Sequence, residues 1–174
     1  MFMLKAAIID DGIDASQFKN VKSWVIKKDL SIENENIISV KDNHACTCLK
    51  IIQKYCDMSD VFWHSIKILN DDTKRGNIRQ FIEALRLCEQ LEVKIIHLSI
   101  GTRSYSDFNL IEKSIEALCD KGTIIIAAAC NEGTVAYPAC MNGVIGVKCD
   151  FSATDQQYLY LSLIHISEPT RLLS

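Results

Sequence analysis

Short apolar segments alternate with amphipathic stretches along most of this chain. Six segments predict β-strands, because each is either continuously apolar or alternates apolar with polar positions: residues 4–9, 21–26, 61–69, 93–98, 123–129 and 144–147. The segment 29–43 is polar and predicts a loop, with a short strand as a candidate at residues 37–40. The strands are therefore spread along the chain, with room for helices between several of them.

Three of the intervening stretches carry apolar side chains at helical spacing. His44 opens the first predicted helix, which runs to Tyr55. Asn77 predicts the N-cap of the second, which extends to about Gln90. Asp107 predicts the N-cap of a third, closed by Gly122. Strands alternating with helices of this length predict an α/β fold: a three-layer, doubly wound and mainly parallel sheet with helices on both faces.

Composition and charge narrow the class of protein. The 174 residues are 48% hydrophobic and 24% charged, which is typical of a globular domain. The net charge of −3 and the absence of like-charge blocks predict neither nucleic acid nor a membrane surface as partner. The apolar run near Met1 is too short for a signal peptide, and no run approaches the roughly 18 residues of a membrane span. We therefore expect a cytoplasmic location, unless a leader upstream of Met1 has been lost.

The eight cysteines do not form a recognisable metal or redox motif. There is no C-x-x-C, and no Cys/His set has the spacing of zinc ligands. Several lie in apolar runs, where a reduced thiol behaves as a small hydrophobe. His64 and His97 each lie within a predicted strand and are interpreted as packed or surface residues. The sequence thus predicts neither a metal nor a cofactor.

Polar residues follow several of the predicted strands. In doubly wound sheets, ligands bind beyond the carboxyl ends of the strands. Asp10-Asp11, Ser99-Ile100-Gly101 and Asn131 all fall at such ends. Each has an ordinary explanation when taken alone, because Asp and Asn are common in turns and a His can simply open a helix. Their order along the chain is more informative.

In that order, four motifs resemble those of the subtilisin-like serine peptidases, or subtilases. The motifs are AIIDDGID, NHACTCLKII, IIHLSIG and IIIAAACNEG, and the resemblance covers about residues 4–150. It implies a subtilisin-like fold with Asp10 as the orienting carboxylate and His44 as the base. It also implies that Asn131 donates to the oxyanion and that the substrate-binding residues are Ser99, Ile100, Gly101, Ala129 and Cys130.

The chain departs from the pattern of the subtilases at several positions. Asp11 stands where Ser or Thr is usual, Ala45 replaces a Gly, Cys46 a Thr, and Cys130 a Gly beside the primary specificity pocket. The Gly-Thr-Ser-x-Ala-x-Pro motif of the nucleophile does not occur. The resemblance therefore implies the N-terminal part of a serine endopeptidase that acts on a peptide or protein. This part lacks the Ser and should be inactive by itself.

Residues after about 157 do not continue the alternation of strands and helices. We predict a partial peptidase domain over residues 1–157 and interpret residues 158–174 as foreign to the fold. Their sequence, which includes SLIHISEPTRLLS, resembles a translated cloning or sequencing adapter.

Two other classes of protein fit part of the sequence. A signalling receiver domain also ends its first strand with an acidic pair that binds Mg²⁺, as Asp10-Asp11 could, but the expected Lys-Pro is missing. A non-catalytic, subtilase-like binding protein would share the motifs and differ only in residues beyond this sequence.

Overall fold

The computed structural model describes residues 3–35, 43–57, 59–130 and 134–149. The predicted strand at 37–40 and the tail at 158–174 lie outside these ranges. Within them the strands are β1 (Leu4–Asp10), β2 (Val21–Ile26), β3 (Ile32–Asn34), β4 (Val61–Lys67), β5 (Ile95–Leu98), β6 (Ile124–Ala128) and β7 (Val144–Val147). The helices are α1 (His44–Tyr55), α2 (Ile78–Gln90) and α3 (Tyr105–Asp120).

The strands form one sheet in the order β3-β2-β4-β1-β5-β6-β7. Every neighbouring pair is parallel except β2–β3, which is antiparallel at the edge. β1 lies in the middle, with Asp10 opposite Lys67 of β4, and Ile9 opposite Leu98 of β5. The carboxyl ends of the central strands therefore meet at one edge, as the sequence predicted.

Helices cover both faces of the sheet, which confirms the three-layer architecture. Alternate residues of β1 separate the two cores: Ala7 and Ile9 belong to a large cluster with α2 and α3. Ala6 and Ile8 belong to a smaller cluster that includes Leu49 of α1. Asp10 shares its side of β1 with Ala6 and Ile8, so the acid points toward the face that carries α1.

The structure confirms the predicted N-cap of α2 and contradicts the predicted N-cap of α3. Asn77 caps α2 in a reciprocal capping box with Gln80. α3 begins at Tyr105 with Ser104 as its N-cap residue, so Asp107 is not the cap. Asp107 lies in the first turn instead, where its negative charge is favourable and where it accepts a hydrogen bond from Thr102 Oγ1 at 2.7 Å.

The segment predicted as a polar loop at 29–43 contains a strand. β3 pairs antiparallel with β2, with Asn34 opposite Trp24 and Ile32 opposite Ile26. The prediction was wrong because an edge strand joined by a tight turn needs little apolar character of its own. Lys27 and Ser31 close that turn through a backbone hydrogen bond of 3.0 Å.

Candidate active site

An acid and a histidine meet where β1 ends and α1 begins. His44 Nδ1 lies 2.6 Å from Asp10 Oδ2. The Asp10 side chain is 3% exposed, whereas that of His44 is 58% exposed. Asp10 is also held by its neighbour, because the backbone N–H of Asp11 donates to Asp10 Oδ1 at 2.8 Å. The result is a fixed, buried carboxylate that orients an imidazole facing solvent, which suits proton transfer.

The loop after β1 is joined to the first turn of α1 by further hydrogen bonds. Asn43 caps α1 through its side-chain oxygen, which accepts from Cys46 N at 3.0 Å, and its amide nitrogen donates to Gly12 O. Asp14 N donates to Cys46 Sγ at 3.2 Å. Cys46 is thus a buried acceptor that joins the helix to the loop. These contacts set the position of the helix end that carries His44.

Three polar side chains line the other side of His44. Cys48, one turn along α1, places Sγ 3.8 Å from His44 Nδ1 and 3.6 Å from Ser99 Oγ. Ser99 Oγ lies 2.8 Å from His97 Nε2. Burial lowers the pKa of His97 below its usual value of 6.5. The charge of Asp10 raises this pKa but offsets burial only in part, and the charge of His44 lowers it further. Burial likewise raises the pKa of the Cys48 thiol. At neutral pH both groups are therefore uncharged neighbours of the Asp10–His44 pair.

The segment after β5 lies beside a cavity with a mixed polar and apolar lining. A β-bridge joins Thr102 to Tyr137, with both backbone hydrogen bonds at 2.9 Å. A Cβ at Gly101 would lie 2.8 Å from the carbonyl oxygen of Tyr137, so only glycine fits without a shift. A cavity of about 190 Å³ opens here, and its apolar lining includes Ile68, Phe81 and Ile100. A larger cavity of about 570 Å³ lies beyond the ends of β2 and β4, lined by Lys27 and Arg75 among others.

The structure brings most of the predicted site residues to one edge of the sheet. Ser99 directly follows β5, which pairs with β1 one residue before Asp10. Ala129 and Cys130 follow β6, the strand next to β5. Thr134 Oγ1 donates to Cys130 Sγ at 3.1 Å, so this cysteine contacts the segment that begins at residue 134. Asn131 lies outside the described residues, and its predicted role stays a prediction.

Sequence reasoning missed three neighbours of the pair. Asp11 was noted as a substitution and as one of an acidic pair, but the contact of its carboxylate with the first turn of α1 was not predicted. Lys74 lies in the loop between β4 and α2, with its Nζ 3.2 Å from Asp11 Oδ2. No local sequence pattern predicts this contact. His97 was interpreted as a packed or surface residue, and its contact with Ser99 follows from strand alternation, which puts residues 97 and 99 on one face.

Comparison with known families identifies the family to which this chain belongs. A sequence model described as the subtilase family matches residues 4–162, so this chain belongs to the subtilase family. A receiver domain of strand order 2-1-3-4-5 would pair its first strand with its second. Here β1 pairs with β4 and β5, which excludes that alternative. A search of curated proteins found no match.

Solved structures of proteases share the fold. Sphericase is 22% identical with a TM-score of 0.65, and a psychrophilic protease is 23% identical with a TM-score of 0.64; each match covers 82% of this chain and 52% of the other. A lanthipeptide protease is 15% identical with a TM-score of 0.64, covering 82% of this chain and 47% of its own. This chain thus spans about half the length of these proteins.

Within the ranges given above, no group of three or more His, Cys, Asp or Glu side chains is arranged to hold a metal ion. None of the helices described has both the length and the hydrophobicity needed to cross a bilayer.

Proposed function

We propose that this chain is the part of a serine endopeptidase that supplies the general base and its orienting acid. The observation that carries the proposal is the 2.6 Å contact between the buried Asp10 carboxylate and Nδ1 of the exposed His44. With Nδ1–H donating to Asp10, Nε2 of His44 is left as the acceptor for a proton. Membership of the subtilase family supports the same roles.

The chemistry needs a serine hydroxyl that this sequence does not supply in the family's motif. In the complete site, His44 Nε2 removes the hydroxyl proton as the oxygen attacks the carbonyl carbon of the peptide bond. Asp10 stabilises the imidazolium, and the side-chain amide of Asn131 donates to the oxyanion. His44 then gives its proton to the leaving amine, and water releases the acyl group by the same steps. The 174-residue chain alone should therefore hydrolyse peptides no faster than background.

The substrate is proposed to lie along the segment after β5. Ser99, Ile100 and Gly101 continue the chain past the last paired residue of β5, and Gly101 lies close to the backbone of Tyr137. The cavity of about 190 Å³ beside Ile100 combines apolar side chains such as Phe81 with the polar Asp107, so it suits a side chain of a peptide or protein substrate. Cys130 and Ala129 would bound the neighbouring subsite, next to Asn131.

The remainder of the domain is proposed to cover the open half of the sheet beside His44. On the face that carries α1, Ile124 of β6 and Ile145 and Val147 of β7 are about half exposed. Apolar side chains adjacent on a sheet are normally covered. The relatives of known structure have about twice the length aligned here, which provides an obvious source for that cover and for the nucleophile.

Labelling by a fluorophosphonate tests the proposal. A longer natural chain that continues into Gly-Thr-Ser-x-Ala-x-Pro should be labelled at that Ser. His44→Ala should abolish labelling, because it removes the base. His64→Gln is the matched control, since His64 is a buried histidine on the opposite face, and it should leave labelling intact. Asn131→Ala should lower turnover by about 10²–10³, the size of this effect in subtilisin itself.

Three results would contradict the proposal. Labelling that persists in His44→Ala would overturn the role of His44. Peptidase activity from the 174-residue chain would overturn the claim that the nucleophile lies elsewhere. A longer chain that folds but contains no nucleophile motif and is not labelled would favour the non-catalytic, subtilase-like binding protein.

A further inference from the structure

Asp11 is a buried carboxylate with three hydrogen-bond donors around it. Its Oδ2 accepts from the backbone N–H of His44 at 3.2 Å, and its Oδ1 accepts from that of Ala45 at 3.1 Å. Nζ of Lys74 lies 3.2 Å from Oδ2. The side chain of Asp11 is 3% exposed. A charge this deeply buried is tolerated only when it is paired and hydrogen-bonded, so these donors fix the carboxylate in place.

Two of the three donors belong to the first turn of α1. The N-terminal N–H groups of a helix lack partners within the helix. The side chain of Asn43 accepts from the N–H of Cys46. The side chain of Asp11 accepts from the N–H groups of the two preceding residues, His44 and Ala45. A negative charge at this end of a helix is also favoured by the helix dipole. Asp11 thus holds the backbone of the residue whose side chain contacts Asp10.

The geometry points to Asp11 as a positioning residue that acts through the first turn of α1 to keep the His44 imidazole against Asp10, with Lys74 as its counterion. This inference rests on the proposed function of the Asp10–His44 pair and names what maintains it. One residue of β1 orients the imidazole, and the next orients the backbone that carries it. A serine or threonine hydroxyl at this position could not accept from two N–H groups through two oxygens.

Lys74 is presented by a loop with its own internal hydrogen bonds. Asn70 Oδ1 accepts from Asp72 N and Thr73 N, while Asn70 O accepts from Lys74 N at 2.9 Å. Lys74 itself has a φ of 51°, in the left-handed region that a non-glycine residue adopts at a cost. The loop therefore holds Lys74 toward Asp11, although its side chain is 56% exposed and its pairing is weakened by solvent.

Proton NMR of the 174-residue chain tests the inference without needing the nucleophile. A hydrogen-bonded His44 Nδ1–H should give a far-downfield resonance, assigned by its loss in His44→Gln. Asp11→Ala should abolish this resonance and speed exchange of the Ala45 amide about tenfold, the effect of losing a strong helix cap. Asp11→Asn keeps one acceptor oxygen and should recover the resonance in part. Lys74→Met should speed amide exchange by less than Asp11→Ala does.

Asn77→Ala is the matched control, because it removes a helix cap from α2 on the other face of the sheet. It should leave the His44 resonance unchanged. The inference is overturned if Asp11→Ala retains the wild-type resonance, or if Asn77→Ala loses it to the same extent. It is also overturned if the folded wild-type chain shows no such resonance. Should Asp11→Ala fail to fold by circular dichroism, Asp11→Asn decides: a resonance and Ala45 exchange rate equal to wild type would contradict the inference.

The two proposals fail in different ways. If the resonance depends on Asp11 but a longer chain with the serine motif is not labelled by fluorophosphonate, the proposed function is wrong and the positioning role stands. If the longer chain is labelled and Asp11→Ala leaves both the resonance and the labelling rate unchanged, only the positioning role is wrong.

Discussion

The two faces of the sheet differ in how completely they are covered and in what they carry. On one face, α2 and α3 pack over a continuous core that reaches from Ile26 of β2 to Ile125 of β6. On the other, α1 covers mainly β1 and β4, and the side chains of β6 and β7 beyond it are half exposed. The candidate site, with Asp10 and His44, lies on the second face. The first therefore contributes most of the stability, and the second presents the site.

Two histidines, one on each face of the sheet, show the same difference between the faces. His64 is buried on the face of β4 that packs toward α2, where Trp24 Nε1 donates to its Nδ1 at 3.2 Å. Burial and the charges of Lys5 and Lys22 lower its pKa from 6.5 to about 4. His44 stands exposed on the other face beside a buried carboxylate. The same residue type thus has a structural role in one layer and a proposed catalytic role in the other.

The largest effect is expected in the layer of α2 and α3. Leu85→Ala removes a fully buried side chain from the large core, so the free energy of unfolding should fall by about 3 kcal/mol. Urea unfolding followed by circular dichroism measures it. Leu110→Ala, at an exposed position on α3, is the control and should change stability by less than about 0.5 kcal/mol. Equal losses would show that this layer is not the main source of stability.

A smaller but more local effect is expected under α1. Leu49→Ala should cost about 2 kcal/mol, because the smaller cluster around it can relax more easily. Unlike Leu85→Ala, it should also weaken the His44 Nδ1–H resonance, since it loosens the helix that carries His44. Ile51→Ala, at an exposed position of the same helix, should do neither. A resonance that weakens equally in Leu85→Ala would remove the distinction between the faces.

The third effect is confined to acid pH. Because the pKa of His64 is about 4 when folded and near 6.5 when unfolded, the unfolded chain binds more protons between these values. This group's contribution to stability is therefore complete above pH 6.5 and is lost as the pH falls toward 4. His64→Gln should show a smaller decline in urea midpoint from pH 7 to pH 4.5 than wild type. Identical declines would mean that His64 titrates normally.

The smallest effect is expected on the open half of the site face. Ile145→Thr should change stability by less than about 0.5 kcal/mol, because Ile145 is 51% exposed. Ile125→Thr, on the opposite face of neighbouring β6, is the matched control and should cost about 2 kcal/mol or more. In a longer chain that completes the domain, Ile145→Thr should become costly as well. A large cost in the present chain would show that this half is already covered.

Much of the candidate site could be placed from local signals, and the rest could not. The Asp10 and His44 motifs sit at a strand end and a helix start that periodicity predicts, and parallel pairing brings them to one edge. Lys74 lies 63 residues from Asp11 along the chain and in a loop without periodicity, so no local pattern could join them. The prediction that Asp107 caps α3 was wrong because an acid in the first turn of a helix and an N-cap acid look alike in sequence.

The sequence by itself determined the alternation of strands and helices, and with it the parallel sheet whose carboxyl edge collects Asp10, Ser99 and the start of α1. These follow from the spacing of apolar side chains, which is a local property. Only the tertiary structure decided that Asp11 would bind the first turn of α1, that Ser99 would lie between His97 and Cys48, and that one half of a sheet face would stay open. Such contacts depend on distances of a few ångströms between segments far apart in the chain, and these are set by how the layers pack.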